Sequence, residues 1–197
     1  MRTLSLKPNH KRIATYRASL DEFAKLGVAH ETAVRAAFQA LLEDCTAHVN
    51  KGRADKWKLV PEFSVKTKAG AKITPDGALL DSFRLIHGVW EAKDTADDLD
   101  KEIAKKFKLG YPRDNILFQS PHRAILVQDS ERVLDLDISK PDNLVEILRA
   151  FFEYQAPAFD EWEKAVAEFK DRLPEIGKQM RDIIRAEKAE QKIRRSV

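Results

Sequence analysis

The sequence predicts an α/β fold: a mixed β-sheet flanked by helices, followed by a C-terminal helical appendage. Three observations predict it. Over residues 30–49 the apolar positions Val34, Phe38, Leu41, Leu42, Cys45 and Val49 recur in steps of three and four, the stripe of a helix packed on one side. From 57 to 92 the chain reads as short strands, and a tight connection at 82–84 pairs the runs 73–83 and 85–92 as an antiparallel hairpin. A strand–helix–strand step over 85–119 then requires a right-handed parallel crossover. Both kinds of pairing in one sheet make it mixed.

The remaining elements follow in order. Residues 1–17 carry five Lys or Arg and no acid, which reads either as a frayed, solvated terminus or as a basic arm lying on a phosphate backbone. A helical pattern over 15–26 stops at Gly27, a C-cap residue. Residues 67–70 read as a turn. A helix is expected from Thr95, which with Asp98 forms a capping-box pattern; Lys105, Lys106 and Lys108 suit its negative C-terminus, and Gly110 and Pro112 close it. Short apolar strands are expected at 115–119, 124–128 and 133–138, then a helix capped by Asp142 or Asn143 and running to Tyr154. Pro157 marks a boundary, so that 1–156 form the main domain and 157–197 a charged helical extension or connector. Within 178–195 seven Lys or Arg face three Asp or Glu, the composition of a solvated helix or a phosphate-contacting surface.

Composition excludes several classes. A chain of 197 residues with 43% hydrophobic and 34% charged residues buries a core without staples and is not disordered. Its single cysteine, Cys45, rules out an intrachain disulfide framework and a multi-cysteine zinc site, and its place in the apolar stripe makes it a core residue. No apolar run approaches the roughly 18 residues of a membrane span, and residues 1–8 have no signal-peptide core, so a cytoplasmic protein without a membrane partner is expected. A net charge of +3 permits nucleic-acid binding without arguing for it. The five histidines never pair at ligand spacing, and no phosphate loop, dinucleotide fingerprint or serine-nucleophile elbow is present.

The informative stretch sets Asp76 near the start of one strand, with Glu91 and Lys93 two apart at the end of the next. Period-two geometry puts Glu91 and Lys93 on one face, and the hairpin brings the Asp76 end beside the Glu91 end. Two carboxylates and an ammonium then converge. Mg²⁺ prefers oxygen ligands and keeps several waters, so Asp76 and Glu91 suit it. Such a metal lowers the pKa of a bound water and offsets charge on a phosphoryl group, while Lys93 positions or deprotonates the water. The chemistry expected is hydrolysis of a phosphodiester.

Pro75-Asp76, fourteen intervening residues, then Glu91-Ala92-Lys93 resembles the PD-(D/E)xK nuclease signature. The order helix, strand, motif-bearing hairpin, helix, strand is also similar to that superfamily's restriction-endonuclease-like core. The wider text is similar to the N-terminal nuclease domain of single-chain restriction–modification enzymes of the type ISP and type IIG kind, over roughly residues 28–155. It comprises His30-Glu31-Thr32-Ala33-Val34-Arg35, then Glu91-Ala92-Lys93-Asp94-Thr95-Ala96-Asp97-Asp98-Leu99, then Gly110-Tyr111-Pro112-Arg113-Asp114-Asn115-Ile116-Leu117-Phe118.

The resemblance implies a Mg²⁺-dependent deoxyribonuclease, with Mn²⁺ able to substitute, acting on DNA. Asp76 and Glu91 would bind metal and Lys93 would serve the water. The resemblance also implies an acidic residue on the first core helix, for which Glu31 and Glu43 are the candidates. With Val34 at zero, Glu31 falls at about 60°, inside the apolar stripe, and Glu43 at about 180°, facing water. A carboxylate on a buried face needs a partner or a metal, so Glu31 is the fourth site residue expected. Relatives carry a Gln or a basic residue on the next helix; Lys101, Lys105, Lys106 and the strand-end Gln119 all remain open. Helicase and methyltransferase motifs are absent from these 197 residues, so such domains are expected on the same or a partner chain if this is an excised domain, and not if it is a stand-alone relative. The alternative reading is a catalytically silent module of the same fold that binds DNA or docks a partner.

Overall fold

The computed structural model describes residues 2–27, 31–67, 70–94 and 98–156, together with residues 166, 169–170, 173–175, 177–178, 180–181 and 184–185. The chain divides into two compact units, Met1–Tyr154 and Gln155–Val197. Every described residue from 166 onward is helical.

In the first unit the order is α1 (Lys11–Lys25), α2 (Glu31–Val49), β1 (Lys58–Pro61), β2 (Val65–Lys66), β3 (Lys72–Ile73), β4 (Gly77–Leu80), β5 (Ile86–Ala92), α3 (Leu99–Lys108), β6 (Asn115–Gln119), β7 (Arg123–Gln128), β8 (Glu131–Asp137) and α4 (Pro141–Glu153). Six strands form one sheet in the order β1-β4-β5-β6-β7-β8, and β2 and β3 form a small ribbon of their own. β5 and β6 are parallel, joined through α3, and every other neighbouring pair is antiparallel. The mixed sheet expected from the hairpin and the crossover is therefore the sheet observed.

The sheet separates two cores. On one face Phe38, Leu41, Leu42 and Cys45 of α2, Ile13 and Tyr16 of α1 and Leu144, Leu148 and Phe152 of α4 pack on Leu79, Trp90, Leu117 and Leu126. On the other, Leu99 and Ile103 of α3 and Tyr111 pack on Val89, Ile116, Phe118, Ile125 and Val127. All six residues of the α2 stripe are buried, and burial pushes the Cys45 thiol up to about 12, as suits a core residue and not a nucleophile.

Several elements depart from expectation. The N-terminal stretch is neither frayed nor a free basic arm: Leu4 and Leu6 are buried. The Leu4 amide donates to Glu153 Oε1 at 2.8 Å, and Arg2 stacks 3.9 Å over the Trp57 ring while pairing with Asp55 at 2.9 Å. Two leucines outweigh the charge count because side chains, not net charge, decide docking. α1 begins at Lys11, behind a His10 N-cap. α3 starts at Leu99: Asp98, expected as the third residue of a capping box, is itself the N-cap and accepts from the Asp100 and Lys101 amides, while Thr95 lies outside the described residues. α4 has no side-chain cap; Lys140 precedes Pro141, whose missing N–H would be an orphan in any case. Asn143 instead donates to the Asp137 carbonyl at 2.9 Å.

α4 approaches β5 closely because Gly88 faces it. A Cβ there would lie 2.7 Å from Phe151 Cε2 and Cζ and 3.0 Å from Asn115 Nδ2, the amide that ties the His87 and Phe151 carbonyls together. Gly88→Ala should lower unfolding free energy by about 1–3 kcal/mol, the usual scale for overpacking. A urea midpoint equal to wild type would show that α4 yields without cost.

Candidate active site

β5 is buried on both faces, and its sequence Val89-Trp90-Glu91-Ala92 carries one charge. Glu91 is 2% exposed. It points to the α3 side, opposite Trp90 and Ala92, and a carboxylate in that position needs a partner. Lys106 of α3 supplies one, with Nζ 2.8 Å from Glu91 Oε2. The same ammonium donates to the Tyr111 hydroxyl at 3.0 Å and sits 4.7 Å over its ring, and that hydroxyl donates to the Thr74 carbonyl at 3.4 Å. Glu91 Oε1 is buried and has no hydrogen-bond partner among the described residues. Burial pushes the Glu91 carboxyl above the usual range; Lys106 and the Tyr111 hydroxyl oppose that rise, and the nearby Asp76 charge adds to it.

Asp76 immediately precedes β4, and Gly77 pairs with Trp90, so Asp76 stands beside Glu91 at the end of the hairpin. Its backbone carbonyl accepts from the Glu62 amide at 3.1 Å. Its side chain extends the ladder: Oδ2 accepts from the Ala92 amide at 2.8 Å, and Oδ1 accepts from Arg35 of α2 at 3.0 Å. Lys93 follows β5 directly. Its amide donates to the Gln119 carbonyl at 2.7 Å, which continues the parallel pairing, and its Nζ lies 3.9 Å from Glu102 Oε2 of α3.

Asp76 and Glu91 thus meet at one end of the hairpin, and Lys93 stands two residues on from Glu91, held towards the same covering helix. Glu31 is the first residue of α2, one turn before Arg35; its side chain lies outside the described part of the structure. Glu43 faces water and accepts from Gln39 at 2.9 Å. Gln119 pairs with Ala92 and so takes the other face of the sheet, where its amide donates to the Ser120 carbonyl at 2.7 Å. That disposes of Gln119 as a residue facing Glu91.

Of the three lysines left open on α3, Lys101 pairs with Asp98 and Lys105 with Glu102, both at the surface, and Lys106 alone reaches Glu91. Helical phase contained this answer. With Ile103 at zero, Lys106 falls at about −60°, near Leu99 at about −40°, whereas Lys101 and Lys105 fall on the opposite side. Arg35, at the edge of the α2 stripe, carried no such signal.

Among the described residues no group of three or more His, Cys, Asp or Glu could share a metal ion. The donor set is two carboxylates, one with an unpartnered buried oxygen. That suits a hard divalent cation, which takes one or two carboxylates and keeps its waters.

The cryo-EM structure of a DrdV–DNA complex contains a chain that matches 87% of this one at 39% sequence identity, with a TM-score of 0.71. This chain spans 16% of the length of that one. The likeness agrees with a restriction-endonuclease-like α/β core. No protein-family model and no curated protein matches the chain. Among the described residues no helix is long and apolar enough to cross a membrane.

Because the Glu91 carboxyl is raised in the folded state, its contribution to stability is fully present below the ordinary carboxylate value and is lost as pH rises through the raised one. In metal-free buffer Glu91→Gln should therefore melt progressively higher relative to wild type as pH rises through that window. A difference in melting temperature that stays flat with pH would mean that Lys106 fully offsets the burial.

Proposed function

We propose that this chain is a metal-dependent DNA endonuclease domain of the PD-(D/E)xK kind, hydrolysing phosphodiester bonds within a restriction–modification system. The observation that carries the reading is the meeting of Asp76 with a buried Glu91 whose Oε1 has no partner among the described residues. The likeness to a chain found in complex with DNA supports DNA as the substrate. In that structure the matched portion is 16% of the chain, which leaves room there for further domains. Helicase or methyltransferase domains on the same or a partner chain would supply target choice, since phosphate contacts give position and not sequence.

In this mechanism Asp76 and Glu91 would hold Mg²⁺ or Mn²⁺, and Glu31 would assist from the start of α2. A cation so held activates a water and offsets charge developing on the phosphoryl group. Ala92 N–H fixes the Asp76 carboxylate, and Lys106 with Tyr111 orients that of Glu91. Lys93 positions the attacking water or takes its proton, and Glu102 limits the volume its ammonium explores. One observation favours the second reading, a silent DNA-binding or docking module: both Asp76 oxygens already accept hydrogen bonds.

Plasmid relaxation separates the two. The nuclease reading expects nicking with Mg²⁺ or Mn²⁺ that EDTA abolishes; DNA binding without any nicking would leave the silent module. Lys93 gives a finer test. Lys93→Ala should retain DNA binding and lose cleavage by about 10²-fold or more, the scale for one positioned catalytic group. Lys93→Arg should not rescue it, because a guanidinium stays protonated. Near-normal cleavage by Lys93→Arg would leave only a charge role, and by Lys93→Ala would remove the residue from the chemistry.

A further inference from the structure

The β2–β3 ribbon is the one paired element outside the main sheet among the described residues, and its register sets Lys66 directly opposite Lys72. Alternation turns Val65 and Ile73 inward, where they join the α3-side core beside Phe107 and Tyr111. Lys66 and Lys72 consequently share the outer face, and both are exposed. Like charges directly opposite on a two-stranded ribbon repel and weaken it. The ribbon's own sequence does not relieve that repulsion: from Ser64 to Pro75 it has no acidic residue, and among the described residues neither lysine makes an ion pair with a carboxylate. A ribbon with two residues per strand is a poor place to keep such a pair for folding alone.

The ribbon is nonetheless firmly seated. Its turn closes on itself, with the Thr67 amide donating to the Ala71 carbonyl at 2.8 Å and Thr67 Oγ1 accepting from the Ala71 amide at 3.0 Å. Thr67 also presses on the end of α3, where a Cβ on Gly110 would lie 3.0 Å from Thr67 Cγ2; Gly110 has a φ of +87°. After β3 the chain continues through Thr74, whose carbonyl accepts from Tyr111, to Asp76. Asp76 lies four positions after Lys72, at most about 14 Å of extended chain, or about four base-pair steps at ~3.4 Å each.

We infer that Lys66 and Lys72 form a clamp for the phosphate backbone of duplex DNA, gripping it within a few base pairs of the bond at Asp76 and Glu91. The polyanion supplies the negative charge that the ribbon lacks, so the repulsion between the lysines is relieved on binding. This inference rests on the DNA reading above and adds to it the surface that holds the substrate in register. The clamp touches neither metal nor reacting atoms. It contributes affinity and position, not chemistry.

The test is anisotropy of a labelled duplex with the full 197-residue chain in EDTA across a salt series. Three variants are compared with wild type: Lys66→Ala/Lys72→Ala; Lys66→Glu; and Lys25→Ala/Lys51→Ala, a charge-matched control at two other exposed lysines. The clamp variant should bind about tenfold or more weakly, and its log–log salt slope should be shallower by about two, one for each lost phosphate contact. The control should change little. Lys66→Glu makes an opposite-charge cross-strand pair with Lys72, so it should melt no lower than wild type yet bind DNA more weakly still, moving stability and binding in opposite directions. The inference is overturned if the clamp variant keeps wild-type affinity and slope, or if the control weakens binding equally; either result leaves the nuclease reading standing. Failure of the wild-type chain to bind duplex DNA at all overturns both.

Discussion

The site depends on the register of β4 against β5. Three contacts hold it. Gly77 lies under the Trp90 ring, where a Cβ would come 3.0 Å from Cε3; Gly88 lies under Phe151; and the Asp76 carboxylate accepts from the Ala92 amide where the strand pairing ends. A slip of one residue would reverse every side chain on β5 and send Glu91 and Lys93 to the α2 side, into an apolar core. The two glycines, one of them next to Asp76, therefore bear on which face the carboxylates occupy. Asp76 has a double part: its side chain completes the ladder that aligns it with Glu91.

Two cations steady the two carboxylates, and they come from opposite layers. Arg35 reaches Asp76 from α2, while Lys106 reaches Glu91 from α3. Neither helix alone builds the site. Glu91 is the more demanding member, because a carboxylate at 2% exposure carries a desolvation cost that a single ammonium does not fully offset, as the upward shift of its pKa indicates. Asp76, with 14% of its side chain exposed, has both oxygens engaged, one by a guanidinium and one by a backbone amide.

Much of this was legible in the sequence because it is written in local periodicity. The α2 stripe, the 82–84 turn, the Gly110 stop and strand β6 at Asn115–Gln119 all follow from patterns within one element. The pairing of Asp76 with Glu91 was legible because a hairpin fixes it. What escaped depends on contacts between elements far apart in sequence. Arg2 looked like part of a solvated basic tail, yet Asp55 and the Trp57 ring hold it. Arg35 lies at the edge of its stripe, and only the tertiary approach of α2 to the start of β4 gives it Asp76. Lys106 was one of three lysines, separable by helical phase and decided by the buried charge it meets. Gln119 was left open as a further site residue by its place at a strand end; parallel pairing with Ala92 turns it away.

The mixed character of the sheet is what lets one place collect these groups. An antiparallel neighbour sets the start of β4 beside the end of β5, which brings a residue preceding one strand, Asp76, next to residues ending another, Glu91 and Lys93. A parallel neighbour has the opposite virtue. It forces the chain to cross over the sheet, and the crossover helix α3 then covers the face on which Glu91 lies and delivers Lys106 and Glu102 to it. A purely antiparallel sheet would give the facing carboxylates without the covering helix. A purely parallel sheet would give the helix, with every strand ending at the same edge and no strand start beside Glu91. β5 has β4 antiparallel on one side and β6 parallel on the other, so both kinds of pairing meet at its last residues. Glu91 sits near the end of β5 for that reason, with Lys93 just beyond it and Asp76 alongside, just before β4.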